Sequence, residues 1–189
     1  MNILEIENLK VNIGKFTLQI AELFIEKGEL FHIKGSNGSG KTVFLNTVLG
    51  FMKYTGKLNI HSKSINGFIN NDTLIPYLYP KEYLKFIEKL KVDKNYFEKC
   101  KSILMSLDYD INEKKYIRNL SEGSKNKIGI ASILSLESDI MIFDEPFANL
   151  DDKSCKVLSN IFENERNKST IIYSSHQDML LKETSYLLH

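Results

Sequence analysis

Tryptophan is absent from this 189-residue sequence, and three prolines, two cysteines and two arginines are all it holds of those types. Three prolines are too few for a proline-rich linker or recognition segment, and no low-complexity stretch or internal repeat is present. Cys100 and Cys155 supply neither a disulfide framework nor a metal site, which points to a reducing compartment. No apolar run approaches the roughly 20 residues that span a bilayer, so direct membrane insertion is excluded. The first residues, Met1-Asn2-Ile3-Leu4-Glu5-Ile6-Glu7, are acidic where a secretory leader is basic. Charge of one sign is lacking too: 25 Lys+Arg against 24 Asp+Glu leaves +1, with no electrostatic footprint for nucleic acid. A cytoplasmic protein without a nucleic-acid partner is expected.

Present in quantity are apolar residues, 42% of the chain, beside 26% charged residues. That balance excludes disorder and suits a single domain over residues 1–189. Residues 2–33 read as strands and turns, with a hairpin turn at Gly14-Lys15 before Phe16–Ile20. Leu30–Ile33 is an apolar strand, followed by a glycine-rich loop and a helix whose buried side carries Val43, Phe44, Val48 and Leu49. Residues 57–71 return to short strands. Tyr83 to Leu107 keeps helical period. Another helix follows Ser121, then the strand Ile140–Phe143, a helix near 152–165 and the strand Ile171–Tyr173. Alternating strands and helices predict an α/β fold with a mostly parallel sheet flanked by helices. The helical stretch of about 74–120 reads as a small lobe inserted in that core.

Gly35-Ser36-Asn37-Gly38-Ser39-Gly40-Lys41-Thr42 fits G-x-x-x-x-G-K-[ST], placed between strand and helix as the chemistry requires. Glycines let backbone N–H groups curl around a phosphate, and the helix N-terminus behind them adds partial positive charge. Lys41 reaches the β- and γ-phosphates in such a loop, and the Thr42 hydroxyl ligates Mg²⁺. Farther on, Ile140-Met141-Ile142-Phe143 runs into Asp144-Glu145. Acids at the carboxyl end of a buried strand meet ligand at the sheet edge. Asp144 is expected to hold Mg²⁺, partly through water. Glu145 is expected to orient or deprotonate the attacking water.

These residues stand among others that resemble the ATP-binding cassette (ABC) ATPases across nearly the whole chain. Leu120-Ser121-Glu122-Gly123-Ser124 is similar to the family's LSGGQ signature. Asp144-Glu145-Pro146 resembles its Walker B motif, Ala148-Asn149-Leu150-Asp151 its D-loop, and His176 its switch histidine. Two departures stand out. Glu122 and Ser124 replace Gly and Gln of the signature, and Asn70 or Asn71 stands where the family has its Q-loop glutamine, one methylene shorter. The aromatic that stacks on adenine falls at Ile13, with Phe16 as a substitute or a core residue.

The resemblance implies a P-loop nucleoside triphosphatase core with an N-terminal antiparallel β subdomain and an inserted helical subdomain. It implies ATP and Mg²⁺ as cofactors. Glu145 and His176 would be catalytic, residues 35–42 would hold ATP, and Thr42, Asp144 and Asn70 or Asn71 would face the metal. Ser121 and Gly123 would contact the nucleotide of a second subunit, in a head-to-tail dimer closing over two ATP molecules. The implied role is the ATP-hydrolysing subunit of a membrane transporter, held at the inner face of the membrane by a separate spanning permease. A small bacterial exporter or self-protection pump is the transporter expected. Leu74-Ile75-Pro76-Tyr77-Leu78-Tyr79-Pro80 is the expected permease contact. The alternatives are an ABC ATPase uncoupled from transport and a nucleotide-binding module with little turnover.

Overall fold

The computed structural model describes residues 1–91, 93–176 and 183–188. In chain order the elements are β1 (Asn2–Ile13), β2 (Phe16–Glu26), β3 (Leu30–Lys34), α1 (Lys41–Val48), β4 (Thr55–Ile60), β5 (Ile65–Phe68), α2 (Pro80–Lys91), α3 (Tyr96–Ser106), α4 (Glu122–Leu134), β6 (Ile140–Phe143), α5 (Asp152–Glu165), β7 (Thr170–Ser174) and β8 (Thr184–Leu187). Short 3-10 turns lie at Asn71–Thr73 and Ile117–Asn119.

Burial along the strands separates two sheets. β2, β1 and β4 form an antiparallel sheet in that order. Only one of its faces is covered, so apolar and polar residues alternate. The alternation changes phase around Asn8 (φ 50°): Leu4 and Ile6 are buried before it, Leu9 and Val11 after it. Pairing with β4 slips by one residue at the same place, as at a bulge. The second sheet has the order β5-β6-β7-β3-β8, and every neighbouring pair is parallel. β6 is buried on both faces. Ile140 and Ile142 pack with α1 and the antiparallel sheet, while Met141 and Phe143 pack toward α4 and α5. That double burial is why its sequence reads as an unbroken apolar run.

The helical period of residues 83–107 divides into two helices. Asn95 N–H donates to the Asp93 carboxylate (2.9 Å) and Phe97 N–H to Glu88 (3.0 Å). Side-chain acceptors take the amides that a continuous helix needs, and the chain turns. Between β5 and α4 the described residues carry only α2, α3 and the two 3-10 turns. They pack against α4 through buried Leu84, Tyr96, Cys100 and Leu104.

Leu74–Pro80 divides as well. Leu74 is buried, Tyr79 stacks on Tyr116 at 4.7 Å between ring centres, and the carbonyls of Pro76 and Leu78 accept from Arg118 and Ile117. Most of this stretch therefore seals the helical layer. Tyr77 alone of its aromatics stands well outward, 65% exposed, with the Arg118 guanidinium over its ring. β8, absent from the sequence reading, is a polar edge strand whose Thr184-Ser185-Tyr186-Leu187 carries too little apolar pattern to announce itself. No helix among the described residues is long and apolar enough to cross a membrane.

Candidate functional site

β3 delivers the chain into the phosphate loop at the carboxyl edge of the parallel sheet, between β7 and β8. Gly35, Gly38 and Gly40 all have positive φ (155°, 82° and 101°). A side chain at Gly40 would strike the Phe16 ring at 2.9 Å, so this glycine serves close approach as well as backbone shape. The loop closes onto α1, whose first residue, Lys41, is only 7% exposed. Its ammonium donates to the carbonyls of Gly35 (2.9 Å) and Ser36 (3.3 Å), so it lies inside the curve of the loop. Ser39 Oγ is buried there without a partner. Such an orphan in a cradle of backbone amides fits an anionic ligand.

The carboxylates arrive from β6. Asp144 N–H donates to the Phe68 carbonyl of β5, fixing where the strand ends. Asp144 Oδ2 accepts from the Thr42 hydroxyl at 2.5 Å, and Oδ1 accepts from the Ser174 hydroxyl. A hydroxyl and a carboxylate on adjoining elements are the hard oxygen donors that suit Mg²⁺ beside a phosphate. Glu145 follows in the left-handed region, φ 49°, an uncommon conformation for a residue with a side chain. Its N–H is held by Ser174 Oγ at 2.9 Å. The turn sends its carboxylate toward the loop, where Oε1 lies 3.8 Å from Lys41 Nζ and 3.2 Å from His176 Nε2. His176 N–H donates to the other oxygen, Oε2, at 3.2 Å. Lys41, Glu145 and His176, distant in sequence, thus converge on one point.

A cleft of about 500 Å³ opens over this point, lined by Ile13, Phe16, the loop, Asp144, Glu145 and His176. Ile13 and Phe16 sit together at its apolar end, on either side of the β1–β2 hairpin turn. Of the residues expected to touch nucleotide, Ser121 and Gly123 are not among those lining the cleft. Ser121 caps α4 by accepting from Ser124 N–H at 3.2 Å. Gly123 lies against the D-loop: a Cβ there would meet the Asn149 carbonyl at 2.3 Å. Asn126 reinforces the contact by donating to the carbonyls of Pro146 (3.0 Å) and Ala148 (2.9 Å). Asp151 caps α5 through Ser154, whose backbone and hydroxyl donors pull its carboxyl down to about 2.

Asn70 and Asn71 border a smaller cavity that also reaches Asp144 and Glu145. Asn71 Oδ1 is buried without a hydrogen-bond partner, while Asn70 Oδ1 and Asn71 Nδ2 are engaged elsewhere. The Asn70 side chain accepts from Asp72 N–H (3.1 Å) and caps the 3-10 turn. Asn71 Nδ2 donates to Glu122 Oε2 at 2.7 Å, and Lys125 donates to Oε1 at 2.7 Å. These donors, Lys125 foremost, hold the Glu122 carboxyl below its usual range. The sequence reading missed Ser174, which anchors both Asp144 and Glu145. Its signal was available: a small hydroxyl directly after an apolar strand, at the edge where ligands sit.

A family model described as ABC transporter matches residues 18–148 of the chain. The taurine import ATP-binding protein TauB of Shigella flexneri is 32% identical over 73% of the chain, which spans 58% of that relative's length. The cytochrome c biogenesis ATP-binding export protein CcmA of Reclinomonas americana is 29% identical over the whole chain and 93% of its own. Among solved structures, a Pyrococcus furiosus ATP-binding protein described as that of an ABC transporter superposes with a TM-score of 0.77. It is 27% identical, over 98% of this chain and 97% of that one.

Proposed function

The chain belongs to the ABC transporter family, and from that membership we propose that it binds and hydrolyses ATP as the nucleotide-binding subunit of a membrane transporter. The convergence of Lys41, Glu145 and His176 over the phosphate loop carries the reading. Adenine lies against Ile13 and Phe16, and the loop amides with Lys41 take the β- and γ-phosphates. Thr42 and Asp144 would hold Mg²⁺, which neutralises charge developing on the phosphate oxygens. Glu145 accepts the proton of the attacking water. The water oxygen bonds to the γ-phosphorus while the β–γ bridging bond breaks and its electrons stay with ADP. His176, whose Nε2 lies 3.2 Å from Glu145 Oε1 and 3.4 Å from Lys41 Nζ, steadies Glu145.

Two subunits are needed in this reading. Ser121 is exposed, and neither it nor half-buried Gly123 lines the chain's own cleft, which supports a head-to-tail dimer in which each signature completes the neighbour's site. A permease partner is drawn from the same membership, and outward-standing Tyr77 is the residue of Leu74–Pro80 suited to touch it. Relatives named for import and for export both match the chain, so the proposal is transport with no direction assigned.

Glu145→Gln tests the reading. The variant is expected to bind Mg-ATP as wild type does and to lose about 10²–10⁴-fold of its turnover, the usual worth of a general base. Size-exclusion chromatography with ATP should then show a trapped dimer, or a trapped pair once a heteromeric partner is supplied. Unchanged steady-state ATPase activity would remove Glu145 from the mechanism.

A further inference from the structure

Behind the site lies a polar cluster that the reaction as described does not use. His32, in the middle of β3, is 1% exposed. Its ring stacks on Tyr173 of β7, 4.6 Å between centres and 8° from parallel. Nδ1 lies 2.9 Å from Glu183 Oε1, and Nε2 lies 3.0 Å from the backbone carbonyl of Ser175. The Tyr173 hydroxyl donates to Glu183 Oε2, and the Lys34 ammonium stands 3.7 Å from Oε1. These three, Glu183, Tyr173 and Lys34, are the titratable groups around the ring among the described residues.

A carbonyl oxygen only accepts, so Nε2 carries the proton of the bond to Ser175. Nδ1 is left to Glu183, whose carboxyl holds the ring from its other edge.

The carbonyl that His32 holds belongs to the Ser175–His176 peptide. A peptide unit is planar, and among the described residues none is cis. Fixing the Ser175 oxygen therefore fixes the direction of the His176 N–H on the opposite side of the plane. That N–H is the one donating to Glu145 Oε2 at 3.2 Å. We propose that His32, bonded to Glu183 through Nδ1 and to the Ser175 carbonyl through Nε2, is a positioning residue that orients the Ser175–His176 peptide so that its N–H and the His176 ring hold Glu145 for the attacking water. The link runs from Glu183 through the ring and a single peptide plane to the catalytic carboxylate. It deepens the ATPase reading and rests on it.

The test uses His32→Phe/Glu183→Leu, which keeps an aromatic ring on Tyr173 and removes both partners of the buried polar pair. Single His32 variants strand a buried carboxylate and risk misfolding. In the double variant kcat should fall about ten- to a hundredfold, the loss typical when a reacting group shifts by up to about 1 Å. ATP affinity should stay within about twofold, a split that general loosening of the core does not give. Nitrogen NMR of the histidine-labelled wild type, with His32 assigned by its absence from the double variant, should show the proton on Nε2 that the bond to the Ser175 carbonyl requires. The His176 backbone amide signal should move between the two proteins. A His32 Nε2 without a proton, an unmoved His176 amide, or an unchanged kcat would each overturn the proposal. Should wild type itself fail to turn over ATP, the ATPase reading falls, while the ring nitrogens and the His176 amide still decide whether His32 orients this peptide.

Discussion

Replacing Gly123 with Ala probes the contact between the signature and the D-loop, and its size follows from the geometry. The new Cβ would lie 2.3 Å from the Asn149 carbonyl oxygen, so the backbones must part by about 1 Å to reach ordinary contact. Asn149 cannot simply turn away. It is already left-handed, φ 61°, and the carbonyls of Pro146 and Ala148 just before it are held by the buried Asn126 amide. Overpacking of this kind costs about 1–3 kcal/mol, and weakening one hydrogen bond to a buried amide costs about 1 kcal/mol more. Alanine's better helix propensity in the first turn of α4 returns up to about 1 kcal/mol. The net is about 2 kcal/mol, which for a chain of this length lowers Tm by about 4–8 °C. Thermal melting followed by circular dichroism measures it. Nucleotide binding to the monomer should persist, because the cleft is built from other residues, while ATPase activity falls with the displaced signature. A Tm within about 1 °C of wild type would show that the two segments are not packed against each other as described.

The Asn71–Glu122 contact should appear as coupling in a double-mutant cycle of Asn71→Ala and Glu122→Ala. For a pair this exposed, about 0.5–1 kcal/mol is expected from urea melts, and strict additivity would dissolve the link. Asp151 gives a pH signature of known sign. Its carboxyl is drawn from the usual 3.8 to about 2 by the Ser154 donors, so its contribution to stability is complete above about pH 4 and fades as pH falls toward 2. Asp151→Asn should therefore flatten the acid limb of Tm against pH between about 4 and 2, and a curve still parallel to wild type there would refute the assignment.

Most of the fold was legible because burial on both faces leaves a mark in sequence. Ile140–Phe143 and Ile171–Tyr173 are apolar at every position and Leu30–Ile33 at all but His32, and each lies in the interior of the parallel sheet. The phosphate loop was legible for a different reason: its glycines, Lys41 and Thr42 are contiguous, so spacing alone declares them. β8 was not legible, since an edge strand half in solvent has no pattern to show. The break between α2 and α3 was hidden because Glu88 and Asp93 look like ordinary helix residues until their side chains are seen accepting from the amides of Phe97 and Asn95. Ser174 went unnoticed because its role depends on β6 lying beside β7, a fact of topology.

The departures from the family pattern make the same point more sharply. Read along the chain, a Glu for a Gly at position 122 and an Asn for a Gln near position 71 are two separate weaknesses, one in the signature and one in the Q-loop. In the fold they are one contact, 2.7 Å between Asn71 Nδ2 and Glu122 Oε2, joining residues 51 apart in sequence. The carboxylate that would oppose a phosphate at the head of α4 has Lys125 on one oxygen and Asn71 on the other, so much of its charge is already answered within the subunit. The shorter amide, in turn, bonds to the signature through Nδ2, while its Oδ1 stays buried without a partner. Because the Asn70–Asn71 segment borders the cavity reaching Asp144 and Glu145, while Glu122 flanks Ser121 and Gly123, in the proposed head-to-tail dimer the contact would tie the edge of one nucleotide site to the surface offered to the next. A change at either residue should therefore alter both, which neither position, read alone, would lead one to expect.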